Sequence, residues 1–295
     1  MARYRDTKLR IRAHKVVHNR SAGGDFGIFF VLLIFGAFLV LPLWYKIIES
    51  FKPLDELFEY PPKFYVMNPT TENYVDLFSL MSNSWVPMSR YLFNTIYLTA
   101  FGIIGNLIGG SLAAYALSKI NFPGRKTFFK LVVNSMMISA TVSGVASFII
   151  ISALGWMDSH LAIIIPAFGG AMGVYLMKQF MDSSIPAAVL ESARLDGASE
   201  FRIFLTIAMP MVKPAWLTLM ITCFQSMWGL GASPYIHSEQ LKTFPYAMSQ
   251  ILAGGVERSG ASAAASVIMM IVPALVFIIN QSKIVETMGA SGMKD

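Results

Sequence analysis

Phe93-Asn-Thr-Ile-Tyr-Leu-Thr-Ala-Phe-Gly-Ile-Ile-Gly-Asn-Leu-Ile-Gly-Gly-Ser-Leu-Ala-Ala-Tyr-Ala-Leu117 contains no Asp, Glu, Lys or Arg. A hydrocarbon core of about 30 Å is crossed by roughly 20 mostly apolar residues in a helix. Inside lipid the backbone must satisfy its own hydrogen bonds, which a helix does; a barrel strand would alternate in polarity, and this run does not. Five further stretches meet or approach the same length: Phe26–Ile48, Phe128–Leu154, Leu161–Met177, Trp216–Ala232 and Ser262–Asn280. The composition agrees. Of 295 residues 55% are hydrophobic and 14% charged, against about 25% charged in an average soluble domain, and the mean hydropathy is +0.57. These values exclude a disordered chain and argue against an ordinary soluble enzyme. The single cysteine, Cys223, excludes an internal disulfide framework and a multi-cysteine metal site, and the four histidines lie scattered, so no metal site is expected. The expected fold is an all-α integral membrane protein with six transmembrane helices.

The first stretch is too long for a signal peptide, and no small-residue cleavage site follows Leu41-Pro-Leu-Trp-Tyr-Lys46, so it reads as a retained helix. Basic residues orient the chain. Arg3, Arg5, Lys8, Arg10, Arg12, Lys15 and Arg20 fill the arm at 1–25, and Lys119, Arg125, Lys126 and Lys130 fall between spans two and three. Lys178, Arg194, Arg202 and Lys213 fall between spans four and five, and Lys283 and Lys294 near the tail at 285–295. That side carries 17 of the 23 Lys and Arg residues, so both termini are expected in the cytoplasm, flanking a permease domain at 26–284. No stacking platform or nucleic-acid fold accompanies the basic arm, which therefore reads as a topology signal.

No Gly-Lys pair occurs, so a phosphate-cradling P-loop is absent and the chain is not expected to bind ATP. No nucleophile–base arrangement stands out, and no catalytic residue is assigned. Charged residues are missing from the centres of all six stretches, where proton-coupled carriers keep ionisable relays at a cost of roughly 3 kcal/mol or more each. Any energy for uphill transport is then expected from another subunit. A self-contained ion-coupled carrier or channel is the competing reading, since a sodium-coupled carrier uses backbone carbonyls.

The longest cytoplasmic connection runs from Lys178 to Pro214, and its stretch 183–210 reads as a helix, a break and a second helix. Ser184 suits an N-cap and Pro186 the first turn. Leu190, Ala193 and Gly197 share a face, Glu191 and Arg194 stand at pairing distance, and Gly197 suits a left-handed position after the helix. Ser199 suits the cap of a helix whose apolar stripe is Phe201, Phe204, Leu205 and Ala208, ended by Pro210. One reading is an amphipathic hairpin on the membrane surface. The other is a short helix offered to a soluble partner, with Glu191 as polar anchor and small Ala193 and Gly197 permitting close approach.

Glu191-Ser-Ala-(x)3-Gly197-(x)9-Ile207-x-Met-Pro210 resembles, in every spacing, the coupling motif Glu-Ala-Ala-(x)3-Gly-(x)9-Ile-x-Leu-Pro of ATP-binding-cassette importer permeases; Ser192 and Met209 are its two departures. Ser50-Phe-Lys-Pro53, Pro61-Pro-Lys-Phe64, Asn73-Tyr74, Asn94-Thr95, Ala113-Ala-Tyr-Ala-Leu-Ser-Lys119, Phe122-Pro-Gly-Arg125, Arg194-Leu-Asp-Gly-Ala-Ser-Glu200 and Val285-Glu-Thr-Met-Gly-Ala-Ser-Gly-Met-Lys294 are similar to the MalG-like carbohydrate permeases. The Asn-Asp-like pair that relatives carry near Met227-Trp-Gly-Leu230 is absent. The resemblance implies a type I importer permease in a bacterial inner membrane. It implies a homologous permease as heterodimer partner, two ATP-binding subunits that hold ATP and Mg, an extracytoplasmic solute-binding protein and an oligosaccharide cargo. Glu191, Ser192, Ala193, Asp196, Gly197, Ile207 and Pro210 are then the ATPase-coupling residues. An amino-acid or peptide permease shares the coupling motif and is the alternative within the superfamily.

Candidates along the solute path are Asn94, Asn106, Gln225 and Trp228, because sugars take amide hydrogen bonds and aromatic faces. Buried amides in membranes also serve simply to bond a neighbouring helix. Gly105-Asn-Leu-Ile-Gly109 is small-xxx-small spacing and is expected at a helix contact.

Overall fold

The computed structural model describes residues 22–82 and 85–291, so most of the basic arm and the last four residues of the tail lie outside the described residues. Among these the chain is helical, with no strand. It divides into two units, one reaching to Tyr45 and one starting at Lys46.

The first unit carries most of α1 (Ala22–Phe51). Phe26, Phe29, Phe35, Phe38 and Leu39 are each more than half exposed. A helix apolar on every side and covered on none is stable only in a lipid-like surrounding or against another apolar surface.

The second unit is built around α4 (Met88–Lys119), whose 32 residues span about 48 Å at 1.5 Å per residue. Before it stand α2 (Leu54–Leu57) and α3 (Glu72–Ser82). After it come α5 (Arg125–Ser135), α6 (Ala140–Ala153), α7 (Leu161–Phe168), α8 (Ala171–Ser184), α9 (Ala187–Leu195) and α10 (Glu200–Ile203). A wide turn, Phe204–Ala208, leads into α11 (Met209–Met211), followed by α12 (Lys213–Trp228), α13 (Phe244–Leu252) and α14 (Ser259–Ser291). α4 packs on α7, α8 and α12. The expected contact at Gly105 and Gly109 is there: a Cβ on Gly105 would strike the Phe168 ring, and one on Gly109 the Phe168 carbonyl. Small residues thus let α4 approach the end of α7, where lipid supplies no hydrophobic drive and close packing must serve instead.

Four helical runs are long and apolar enough to cross a membrane unbroken: Gly24–Phe51, Met88–Lys119, Leu161–Ser184 and Val256–Ile279. The other two expected spans are bent. Phe128–Leu154 is not one helix; α5 and α6 meet at 110°. Ser139 is the reason. Its hydroxyl accepts from the Thr141 N–H and its carbonyl from the Ser143 hydroxyl, so α6 starts from its own cap inside an apolar run. The fifth span is α12, shifted toward the amino terminus of Trp216–Ala232 and bent by 82° from the run Glu200–Met211. The sixth continues as helix to Ser291, into the stretch expected as the tail.

Two cores lie at opposite ends of α4. Near Lys119, Ala114 and Tyr115 join Met177, Met181, Leu190, Ile203, Phe204, Ala208 and Leu219. Near Met88, Tyr91 joins Leu77 and Met81 of α3, Phe244 and Ile251 of α13, and Ala264 and Ala265 of α14.

Candidate functional site

The connection from Ser183 to Pro210 folds as the expected helical hairpin, with changes in its details. Ser184 closes α8 instead of capping α9; Pro186, with the φ of −64° that its ring imposes and an extended ψ of 141°, stands immediately before α9. Gly197 is left-handed at φ +78°, and a Cβ there would meet nothing within 4 Å, so its requirement is conformational, about 1 kcal/mol, and not steric. The Gly197 and Ala198 N–H groups bond the Arg194 and Ala193 carbonyls at 3.0 Å, closing α9. The Ser199 hydroxyl accepts from the Arg202 N–H, as the spacing predicts.

α9 buries Leu190 and half-buries Ala193 in the core shared with α4 and α8, leaving Glu191, Ser192, Leu195 and Asp196 exposed. Ala193 turns partly to the chain's own core, whereas Gly197 is exposed. Leu195, which no sequence pattern singles out, is 89% exposed and stands one helical turn beyond Glu191 on the same face. Arg194 does not pair with Glu191. It bonds Glu200, Nε to Oε1 at 2.6 Å, because the Gly197 turn brings α10 back beside it. That carboxylate holds the guanidinium charged, raising its pKa above the ordinary arginine value. Glu200 also accepts from the Tyr115 hydroxyl of α4 at 2.8 Å.

In the second helix Ile203 and Phe204 are buried, Ile207 is half-buried against the same core, and Phe201 and Leu205 are exposed, so only part of the expected stripe faces inward. Pro210 has no N–H to give the carbonyl four residues back, and the wide turn lies just before it. Val212 then leaves helical geometry and α12 begins.

The four path candidates do not form one site. Asn94, fully buried near the Met88 end of α4, donates to the Gln240 and Lys242 carbonyls at 2.8 and 2.9 Å. Asn106 donates to the Ala167 carbonyl at 2.8 Å. Trp228 is buried, donates from Nε1 to the Met269 carbonyl at 3.1 Å and stacks on Phe224. Gln225, on the same helix, is exposed. Among the described residues no group of His, Cys, Asp or Glu side chains could hold a metal ion.

Residues 105–289 match the family described as binding-protein-dependent transport system inner membrane component. The chain is 30% identical over 273 residues to the galactooligosaccharides transport system permease protein GanQ of Bacillus subtilis (strain 168), covering 90% of this chain and 94% of that one. It is 27% identical over 275 residues to the arabinooligosaccharides transport system permease protein AraQ of the same organism, covering 90% and 94%. A bacterial ABC transporter involved in the import of the acidic polysaccharide alginate has a chain of the same fold, with a TM-score of 0.74, 24% identity and coverage of 89% and 98%. The chain belongs to the family of binding-protein-dependent transport system inner membrane components, as a permease subunit of the MalG-like kind.

Proposed function

We propose that this chain is one membrane half of an ATP-driven oligosaccharide importer, and that α9 is the handle through which separate ATPase subunits move it. The observation that carries this reading is the two-sidedness of α9. One side is anchored by Leu190 and Ala193 in a core shared with three long helices. The other exposes Glu191, Ser192, Leu195 and Asp196 beside the left-handed Gly197. A helix made only for the membrane surface has no need of an inner face locked into the bundle. ATP and Mg belong to the partner ATPases, two copies of which grip this hairpin and the corresponding one of a homologous permease. Ile207 and Pro210 shape the turn that carries displacement of the loop 183–210 into α12.

The charge distribution supports both termini in the cytoplasm, in a bacterial inner membrane, with the loops near Met88 and Gln240 facing an extracytoplasmic binding protein. The relatives' galactooligosaccharide and arabinooligosaccharide cargoes support a carbohydrate. Asn94, Asn106 and Trp228 act chiefly in holding helices and loops, and exposed Gln225 is the path candidate whose side chain remains presented for solute. Irregular backbone at membrane depth is tolerated where it lines a cavity or is buried in protein, which makes the Met136–Ser139 bend a second candidate wall of the path.

The test is reconstitution in liposomes. This chain alone moves no solute, and the complete assembly with binding protein moves it only with ATP. Gly197→Asp inserts and assembles normally but loses most transport. Solute movement by the isolated chain would establish a self-contained carrier or channel instead, and full transport by the Gly197→Asp assembly would remove the hairpin from the coupling path.

A further inference from the structure

The hairpin touches α4, α8 and α12 through apolar side chains; the polar ties of α9 and α10 to a span run to α4, while Met209, beyond them, accepts from Trp216 Nε1 of α12 at 3.2 Å. The Tyr115 hydroxyl donates to Glu200 Oε2 at 2.8 Å, Arg194 Nε donates to Glu200 Oε1 at 2.6 Å, and Arg194 Nη2 reaches the Lys119 carbonyl at 3.4 Å. Lys119 Nζ returns a bond to the Ile185 carbonyl at 2.8 Å, just before α9. One carboxylate therefore joins three elements: α10, which bears it, α9 through Arg194, and α4 through Tyr115. Tyr115 is 3% exposed and its ring lies 5.4 Å from that of Phe204, so the hydroxyl has a fixed position to donate from. Apolar contacts are non-directional and let surfaces slide, whereas hydrogen bonds to a charged group are directional and fix register.

We infer that Glu200 is a positioning residue: the Tyr115–Glu200–Arg194 clasp locks α9 and α10 in register on α4 and makes α4, alongside α12, a span that receives the hairpin's displacement. The inference rests on the hairpin being the ATPase's handle and adds which side chains set its register. The apolar core alone would let the hairpin tilt on α8 and α12 under load. With the clasp closed, rotation of α9 is passed to a helix that runs the full depth of the bundle.

The test has two arms. In the purified full chain, Glu200→Gln and Tyr115→Phe, which keep side-chain size, are expected to raise amide hydrogen exchange across 187–203 about tenfold with membrane insertion unchanged, and Arg194→Lys, which keeps the charge, to raise it less. In the assembled importer the first two variants keep ATP turnover but move three- to tenfold less solute per ATP. Unchanged exchange and an unchanged ratio overturn the clasp, as does an equal fall of turnover and transport, which would mean a purely structural role. A photo-cross-linker at Leu195 keeps the two ideas apart. If it never captures the ATPase, the handle reading fails; if it does, while Glu200→Gln couples normally, only the clasp fails.

Discussion

The two ends of α4 share a tyrosine–carboxylate–cation clasp, Tyr91–Glu239–Lys242 at one and Tyr115–Glu200–Arg194 at the other, and differ in what surrounds it. At the Met88 end, side chains of α4 bond the backbone of the stretch 240–244: Asn94 to two carbonyls, Arg90 to the Gln240 carbonyl, and the Thr95 hydroxyl as acceptor for the Phe244 N–H at 2.8 Å. Asp158, between α6 and α7, accepts from the His237 and Ser238 N–H groups and the Ser238 hydroxyl. At the Lys119 end Lys119 bonds the Ile185 carbonyl and Arg194 the Lys119 carbonyl, but the hairpin rests chiefly on an apolar core and is steered by an Arg–Glu–Tyr clasp whose ion pair is partly exposed. Bonds to backbone fix a loop's whole path. A side-chain clasp over an apolar core fixes register while leaving the element movable as a body. The first arrangement suits a scaffold and the second a handle.

The largest effect should come from the exposed face of α9, the proposed handle. Leu195→Glu is expected to cut transport by the assembled importer tenfold or more while changing stability within about 0.5 kcal/mol, because the side chain is solvent-facing in the chain itself; uptake and melting temperature measured on the same preparation check it. The opposite pattern is expected at the other end. Asn94→Leu removes two buried donors and should destabilise by about 1–3 kcal/mol, read as a lower melting temperature, with solute moved per ATP unchanged. Thr95→Val, which takes one acceptor from the Phe244 N–H, should cost about 1 kcal/mol with the same unchanged ratio. If either scaffold variant uncoupled ATP use from transport, the contrast between the ends would collapse.

A pH effect should be the smallest. The Ser238 hydroxyl, with the Ser238 and His237 N–H groups, holds the Asp158 carboxyl below the usual carboxylate range. A carboxylate with a depressed folded pKa contributes stability above its unfolded value of about 4 and loses it as the pH falls through the folded value. The melting-temperature gap between wild type and Asp158→Asn should therefore be open near neutral pH and close as the pH falls below about 4.

The six apolar stretches, the hairpin, the Gly197 turn and the Ser199 cap were all legible in the sequence, because each is set by local chemistry: run length, a positive-φ position, a hydroxyl before a helix. The break at Met136–Ser139 was less legible, since a serine inside an apolar run looks like an ordinary span residue until its hydroxyl is seen capping α6. The pairing of Arg194 escaped because i, i+3 spacing favoured Glu191, while the true partner, Glu200, is brought alongside only by the turn at Gly197. Tyr115 lies 85 residues from Glu200, and no local pattern announces a contact over that separation. Leu195 was hidden in the opposite sense. A leucine on an amphipathic helix is read as core, and only the fold shows it facing outward.

The most direct measurement places a photo-cross-linking residue at position 195 of the complete importer and follows its adducts through the ATP cycle. An adduct with the ATPase subunit is expected in the presence and in the absence of nucleotide. Adducts with lipid alone in every state would show that the hairpin is a surface anchor and that the chain is driven from elsewhere.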